Sequence, residues 1–253
     1  MLTIRDQVAA QAAFAGRLGI DRFAAVIGGS MGGMHALEWA VMHPDRVERV
    51  AALSTTAFTS ADQIALNTVQ IEAIHMDPFF ADGDYYDAAD GEGPYRGLAL
   101  ARRMALLNYR SPDELNARFG RSWQSELSPL VGEGRFAVAS YLDFHGNKFT
   151  RRFDANSYIT LATAMNSHDL GRDRGGVESA LQRITARSLV VAIDSDRLFP
   201  PADQHRIAEG LRPGSRYLAD TPGAVVIESE FGHDGFLIEN EYVGQHLQAL
   251  LEG

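Results

Sequence analysis

The 253-residue sequence contains no cysteine. It therefore has no disulfide, no thiol nucleophile and no thiolate ligand for a metal, a composition that suits the cytoplasm. Long apolar runs are also missing, since the longest, such as residues 189–193, are far too short to span a bilayer. The first residues lack a basic region followed by a long apolar one. We therefore predict no signal peptide and a soluble, cytoplasmic protein.

Positive charge is in the minority, with 23 Lys and Arg against 33 Asp and Glu and a formal net charge of −10. This balance argues against nucleic acid as the main partner, although local charge still allows a small anionic ligand. The hydrophobic content of 45% is enough for one good core with an inserted cap.

Glycines interrupt the chain just after a short apolar run at residues 23–27, which predicts a buried strand. The sequence Gly-Gly-Ser-Met-Gly at residues 28–32 then leads into helix formers, the setting that makes a G-x-S-x-G motif a nucleophile elbow. Because the turn is sharp and the helix packs close, we expect side chains at Gly28 and Gly32 to clash. Ser30 is thus a candidate nucleophile at a helix N-terminus, where negative charge is favoured. The alternative is a glycine-rich turn with an incidental serine.

Sheet signals lie at the two ends of the chain and helical periodicity lies between them. Strands are predicted at residues 23–27, within 46–54, at 188–193 and at 224–228; helices are predicted at residues 3–18, 31–42, 63–76, 97–109, 111–119, 156–166, 200–211 and 239–251. We therefore predict an α/β protein in which residues 1–56 and 180–253 form the core. Residues 57–179 form a helical cap or lid over the site.

An acidic stretch at residues 82–87 has the composition of a calcium loop. However, Tyr86 would occupy the fifth position of that loop, and no terminal glutamate fits. We interpret the stretch as a solvated loop, and predict neither a metal nor a bound cofactor.

Polar loops follow two of the later predicted strands. Asp194 and Asp196 follow one strand, and His233 lies in a glycine-rich loop after the last. Strand–Ser, strand–Asp, strand–His is the chain order of an α/β-hydrolase triad, in which the imidazole takes the serine proton and a carboxylate fixes its tautomer. His233 is favoured over His35, which lies on the helix after the serine. Asp196 is favoured over Asp194 because it lies further into its loop.

Several longer motifs run from Thr3 almost to the C-terminus. They lie at residues 3–6, 28–34, 36–39, 141–143, 152–158, 168–172, 195–196, 199–200 and 232–237. Together they resemble the homoserine O-acetyltransferase family of α/β-hydrolases. The resemblance implies that Asp196 is the triad acid, and an α/β-hydrolase fold of which this chain holds the C-terminal half of a mainly parallel sheet, with about four strands.

The resemblance also implies a binding site for an amino-acid substrate. Arg102 would hold the homoserine carboxylate through two parallel hydrogen bonds, Tyr109 would add a hydroxyl group, and Asp234 would pair with the ammonium group. From periodicity alone, Arg102 reads as a surface charge on a helix. His35 departs from the family, which usually has glutamine there.

Family members carry a further segment before the point matched by Thr3, including the first strands and the loop with the second oxyanion N–H. We therefore expect an unpaired edge on the strand before Ser30. We also expect this sequence to be a fragment of a longer protein, the product of a reading frame with a wrongly assigned start, or a chain that obtains the missing half of the fold from another source. Loss of one oxyanion donor alone costs about a hundred- to a thousandfold in rate, so an inactive chain is one expectation.

The hypothesis for function is acyl transfer by double displacement. Ser30, deprotonated by His233, attacks the thioester of acetyl-CoA, and the Met31 N–H helps to hold the oxyanion. The hydroxyl group of L-homoserine then attacks the acetyl-serine, giving O-acetyl-L-homoserine, a precursor of methionine. The family implies a homodimer through the cap. Alternatives are an esterase that uses water, an inactive chain that only associates with a partner, a succinyl-CoA donor, or serine as acceptor.

Overall fold

The computed structural model describes residues 1–89, 91–124, 126–132, 134–217 and 223–252. Its strands are β1 (Val26–Gly29), β2 (Arg49–Leu53), β3 (Arg187–Ile193) and β4 (Val225–Ile227). Its α-helices are α1 (Ile4–Arg17), α2 (Met31–Met42), α3 (Ala61–His75), α4 (Tyr95–Tyr109), α5 (Pro112–Phe119), α6 (Ala137–Phe149), α7 (Ala155–Asn166), α8 (Val177–Leu181), α9 (Pro201–Gly210), α10 (Gly235–Ile238) and α11 (Asn240–Glu252). None of the helices in these ranges is both long and apolar enough to cross a membrane.

The four strands form one parallel sheet in the order β1-β2-β3-β4. Parallel strands end at the same edge, so the loops that follow β1, β3 and β4 meet there. These loops carry Ser30, Asp196 and His233. The predicted fold class, a mainly parallel sheet of α/β-hydrolase type with about four strands, is confirmed.

Both faces of the sheet are covered, as is usual for parallel strands. Val50, Ala52 and Val190 point to one face, where they pack in the cluster that includes residues of α1, α2, α8 and α9. Ala51 and Leu189, which alternate with them, pack on the other face against α11. The alternation places the core on both sides of β2 and β3.

Side-chain caps visible in the sequence set several helix starts. The Thr3 hydroxyl accepts the Asp6 N–H, and the Asp6 carboxylate accepts the Thr3 N–H, which closes a capping box at the start of α1. The same arrangement joins Ser60 and Gln63 at the start of α3. Such local signals explain why these helix starts lie close to their predicted positions.

Helices α3 to α7 follow β2 and precede β3. Ile74, Leu98 and Phe149 belong to an apolar cluster of their own. Helix α6 was not predicted, because its N-cap, Phe136, makes no side-chain hydrogen bond and the helix contains Gly146. That glycine lets α6 pack closely on α4, since a Cβ there would lie 2.8 Å from the Ala99 carbonyl oxygen.

Candidate active site

The turn between β1 and α2 holds Ser30 in a strained backbone conformation. Its φ of +56° lies in the left-handed region, which residues other than glycine rarely adopt. A side chain at Gly28 would collide with the backbone at Gly32, as the sequence predicted. The matching prediction for Gly32 is wrong, because a Cβ there meets nothing within 4 Å. Close approach is needed instead at Gly33, where a Cβ would lie 2.6 Å from the Thr55 Cβ.

Ser30, His233 and Asp196 form one chain of hydrogen bonds. The His233 Nε2 lies 2.9 Å from the Ser30 Oγ, and the His233 Nδ1 lies 2.8 Å from an Asp196 carboxylate oxygen. With the proton on Nδ1, the imidazole donates to Asp196 and accepts from the serine hydroxyl. His233 is 3% and Asp196 4% exposed, so water has little access to either group.

The Asp196 carboxylate is fixed from two sides. Its second oxygen accepts the backbone N–H groups of Leu198 and Phe199, at 2.9 and 3.0 Å. Asp194, the alternative from the sequence, is exposed and accepts the Ser229 N–H at 2.9 Å instead. The structure therefore places Asp196, and not Asp194, against the imidazole.

His35, the other histidine considered, hydrogen-bonds to Gln7 Oε1 at 3.1 Å. Burial lowers its pKa from the ordinary value, because the charged imidazolium would lose solvation there. No hydrogen bond joins its side chain to Ser30 in the described part of the chain.

The loop that carries His233 packs directly on the chain after α4. Gly232 has a φ of +65°, and a Cβ there would lie 2.7 Å from the Ser111 backbone nitrogen. The Ser111 hydroxyl donates to the Glu230 carbonyl oxygen. The rings of Phe199 and Tyr109 lie 5.4 and 5.7 Å from the imidazole. These contacts fix the position of helix α4 relative to the loop that carries His233.

A cavity of about 260 Å³ opens above Ser30. Met31, Arg102 and Tyr109 contribute to its lining. The Arg102 guanidinium lies over the Tyr109 ring at 5.1 Å and over the Phe149 ring at 4.9 Å. Among the described residues it forms no ion pair with a carboxylate. A cation in a largely apolar wall is suited to binding an anionic group of a ligand.

Asp234 is not among the residues that line this cavity, although it follows His233 directly. Burial raises its pKa, while Arg110, His233 and Arg102 act in the opposite direction. Burial also raises the pKa of the Tyr109 hydroxyl, and Arg102 opposes that shift. The predicted substrate-binding residues therefore act on one another electrostatically.

Two contacts near the site were not predicted from the sequence. An Arg110 guanidinium nitrogen lies 3.4 Å from an Asp234 carboxylate oxygen. In the cavity wall, the Tyr158 hydroxyl donates to the Gln70 side-chain carbonyl. Tyr158 lies within one of the family-like motifs, but nothing in the sequence pairs it with Gln70. Within the described ranges, no three His, Asp or Glu side chains are grouped to hold a metal ion.

Residues 2–239 match a family model described as the alpha/beta hydrolase fold. The chain belongs to this α/β-hydrolase family. Within it, the chain is 68% identical over 251 residues to "Homoserine O-acetyltransferase" of Clavibacter michiganensis subsp. michiganensis. That alignment covers 99% of this chain, and the chain spans 64% of the length of the relative. The resemblance to homoserine O-acetyltransferases is thereby confirmed.

Two solved structures of α/β-hydrolase relatives are also similar to this chain. A homoserine O-acetyltransferase from Bacillus anthracis superposes with a TM-score of 0.87 at 26% identity, covering 98% of this chain and 65% of the other. The L374D mutant of esterase E22 superposes with a TM-score of 0.86 at 25% identity, covering 100% and 67%. One fold therefore serves a transferase in one neighbour and an esterase in another.

Proposed function

We propose that this chain carries the catalytic residues of an acyltransferase that moves an acetyl group from acetyl-CoA to the hydroxyl group of L-homoserine. The observation that carries the proposal is the hydrogen-bonded chain of Ser30, His233 and Asp196 below the cavity. The similarity to homoserine O-acetyltransferases supports the choice of donor and acceptor.

The first half-reaction acetylates Ser30. His233 Nε2 takes the hydroxyl proton as the serine oxygen attacks the thioester carbonyl, and Asp196 stabilises the imidazolium that forms. The Met31 N–H is at the first position of α2 and has no partner within the helix, so it is free to donate to the oxyanion. The thioester C–S bond then breaks, and His233 returns the proton to the departing CoA sulfur.

The second half-reaction transfers the acetyl group to L-homoserine. His233 removes the proton of the homoserine hydroxyl as its oxygen attacks the acetyl carbonyl, and the proton returns to Ser30. Arg102 holds the substrate carboxylate, Tyr109 donates its hydroxyl, and Asp234 attracts the ammonium group. The product is O-acetyl-L-homoserine, which we place in methionine biosynthesis.

We also propose the setting of this reaction. Residues 57–179 act as a cap over Ser30 and mediate a homodimer. Acetyl-CoA enters as a co-substrate, without a bound cofactor or metal. Because acetyl-CoA is an intracellular metabolite, we place the protein in the cytoplasm.

The second candidate is an esterase, which the likeness to esterase E22 favours. Water would then replace homoserine in the second half-reaction. An esterase hydrolyses simple acetyl esters at a rate that homoserine does not stimulate, whereas a transferase is accelerated by it.

Substitution of the nucleophile tests the proposal. We expect the parent to release free thiol from acetyl-CoA when L-homoserine is present, and Ser30→Ala to lose this activity, because no other hydroxyl contacts His233 Nε2 in the described part of the chain. Intact-mass spectrometry should find one acetyl group on the parent and none on the variant. Equal thiol release by both proteins would rule the proposal out, and equal use of succinyl-CoA or L-serine would change its substrates.

A further inference from the structure

Asp234, the proposed partner of the substrate ammonium group, already has a cationic neighbour in the protein. The Arg110 guanidinium approaches its carboxylate to 3.4 Å. Arg110 is 19% and Asp234 25% exposed, so the two charges are partly withdrawn from water. At such sites an ion pair is screened less than on an open surface.

A second carboxylate holds the other side of Arg110. Glu114, only 7% exposed, lies 4.0 Å from it and 3.4 Å from Arg118. The four side chains thus alternate in charge from Asp234 through Arg110 and Glu114 to Arg118 at the surface. The Arg110 Nε is buried without a hydrogen-bond partner in the described residues, so these two carboxylates are what orients the guanidinium.

The backbone of Arg110 is fixed as well. A side chain at Gly232 would lie 2.9 Å from the Arg110 carbonyl carbon, so the two segments pack backbone against backbone. The adjacent Ser111 hydroxyl bonds to the histidine loop at Glu230. Arg110 is therefore anchored to the loop that carries both His233 and Asp234.

We propose that Arg110 is a positioning residue that holds the Asp234 carboxylate in place for the ammonium group of an amino-acid acceptor. This inference rests on the proposed function, because it assigns Arg110 to the acceptor half-reaction. Arg110 acts through Asp234 and takes no part in acetylation of Ser30.

The groups that face Asp234 define what Arg110 must do. Burial and the negative charge of Asp196 both raise the pKa of the Asp234 carboxyl. Arg110 is the largest opposing influence, followed by His233 on the same loop and Arg102 on α4. Removing Arg110 therefore raises the pKa of Asp234 further and leaves its carboxylate without the cation that aligns it.

The test compares two acceptors that differ only in the amino group. Ser30 is first acetylated with 4-nitrophenyl acetate, and removal of the acetyl group by L-homoserine or by 4-hydroxybutyrate is followed by intact-mass spectrometry. For Arg110→Gln we expect the ratio of the homoserine rate to the 4-hydroxybutyrate rate to fall about tenfold, as for loss of a partly buried charge pair. The 4-hydroxybutyrate rate should stay at the parental value.

Two further variants separate positioning from structure. Arg110→Lys keeps the charge and should restore part of the ratio, while Arg118→Gln removes the outer cation of the same row and should leave the ratio unchanged. As the pH is lowered, the ratio of the homoserine rate to the 4-hydroxybutyrate rate should begin to fall at a higher pH in Arg110→Gln than in the parent. Protonation of His233 slows both reactions equally, because both acceptors need the same base, so it does not change this ratio.

The outcomes are distinct. An Arg110→Gln protein that loses activity equally toward both acceptors, or keeps the parental ratio, overturns this inference and leaves the proposed function standing. A parent that forms no acetyl-Ser30, or does not distinguish the two acceptors, overturns the proposed function and this inference together.

Discussion

Both oxygen atoms of the Asp196 carboxylate accept hydrogen bonds. One oxygen accepts from the imidazole, and the other accepts the N–H groups of Leu198 and Phe199. Because both oxygens are acceptors, Nδ1 of His233 must carry the proton and Nε2 is left to accept from Ser30. The Asp196 carboxylate therefore sets the tautomer of the His233 imidazole as well as its position.

Replacing this carboxylate tests that role. In Asp196→Asn the amide can present its NH₂ group to Nδ1, which favours the wrong tautomer, so we expect acetylation of Ser30 by 4-nitrophenyl acetate to slow by about 10³- to 10⁴-fold. Asp194→Asn is the matched control, since an amide oxygen can still accept the Ser229 N–H at that exposed position. Similar rates for the two variants would contradict the proposed role of Asp196.

Individual site residues differ in how far the sequence predicts them. Chain order along a parallel sheet brings together Ser30, the pair Asp194 and Asp196, and His233. The place of Asp196 in its loop and the family resemblance then favour it over Asp194. Periodicity could not separate Arg102 from the adjacent arginine; in the structure Arg102 faces the cavity, while Arg103 pairs with Asp143 at 2.6 Å. The Arg110–Asp234 pair could not be predicted, because it depends on how α4 docks against a distant loop.

At the scale of elements, the close contact between α2 and the chain just after β2 depends on the absence of a side chain at Gly33. Gly33 is buried in the first turn of α2, and its Cα faces the Thr55 side chain just beyond β2. The Thr55 hydroxyl also donates to the Ser30 carbonyl oxygen at 2.7 Å. The same threonine therefore fixes the spacing of the helix and the backbone of the turn.

We expect Gly33→Ala to destabilise the protein by about 1–3 kcal/mol, because the new methyl group must displace Thr55 or move the helix. Gly32→Ala is the control in the same turn, and should be neutral or stabilising by up to about 1 kcal/mol, since nothing lies near its Cβ and alanine favours helices. The free energy of unfolding in urea measures both. A Gly32→Ala protein at least as destabilised as Gly33→Ala would contradict this account.

Elements with strong local signals were predicted closely. Helix α2 has the predicted bounds, and β3 begins one residue before its prediction at residues 188–193. Strand β1 begins at Val26 rather than at residue 23, and Phe23 makes only an isolated bridge to Val47. Helices α6, α8 and α10 were missed; α8 has five residues and α10 has four, which are too few for a helical period to be detected.

For the whole molecule, the family resemblance implied a mainly parallel sheet, and the structure has four parallel strands in the order β1-β2-β3-β4, an order that was not predicted. What the sequence could not give is how α3 to α7 pack, since their cavity is formed by side chains from several helices at once. The start and the end of the segment between β2 and β3 meet where the Thr59 N–H donates to the His168 carbonyl oxygen and the Leu170 N–H donates to the Ala57 carbonyl oxygen. This junction joins the two ends of that segment.

His168, at the centre of that junction, makes stability depend on pH. The residue is 3% exposed, and its Nε2 lies 3.3 Å from the Thr56 carbonyl oxygen. Burial lowers its pKa to about 4, below the ordinary value of 6.5. The unfolded chain therefore binds a proton between these values that the folded protein does not bind. This contribution to stability is fully present above pH 6.5, and is lost as the pH falls from 6.5 toward 4.

We expect the free energy of unfolding to decrease between pH 7 and pH 5 by about 2 kcal/mol through His168 alone. His168→Gln keeps an N–H donor for the Thr56 carbonyl but cannot titrate, so its stability should fall less over the same interval by about that amount. Urea unfolding of both proteins at pH 7, 6 and 5 measures the difference in slope, which is independent of any constant destabilisation by the substitution. Parallel pH dependences for parent and variant would show that His168 is protonated to the same extent in the folded and unfolded states. In that case the junction would not make stability sensitive to pH.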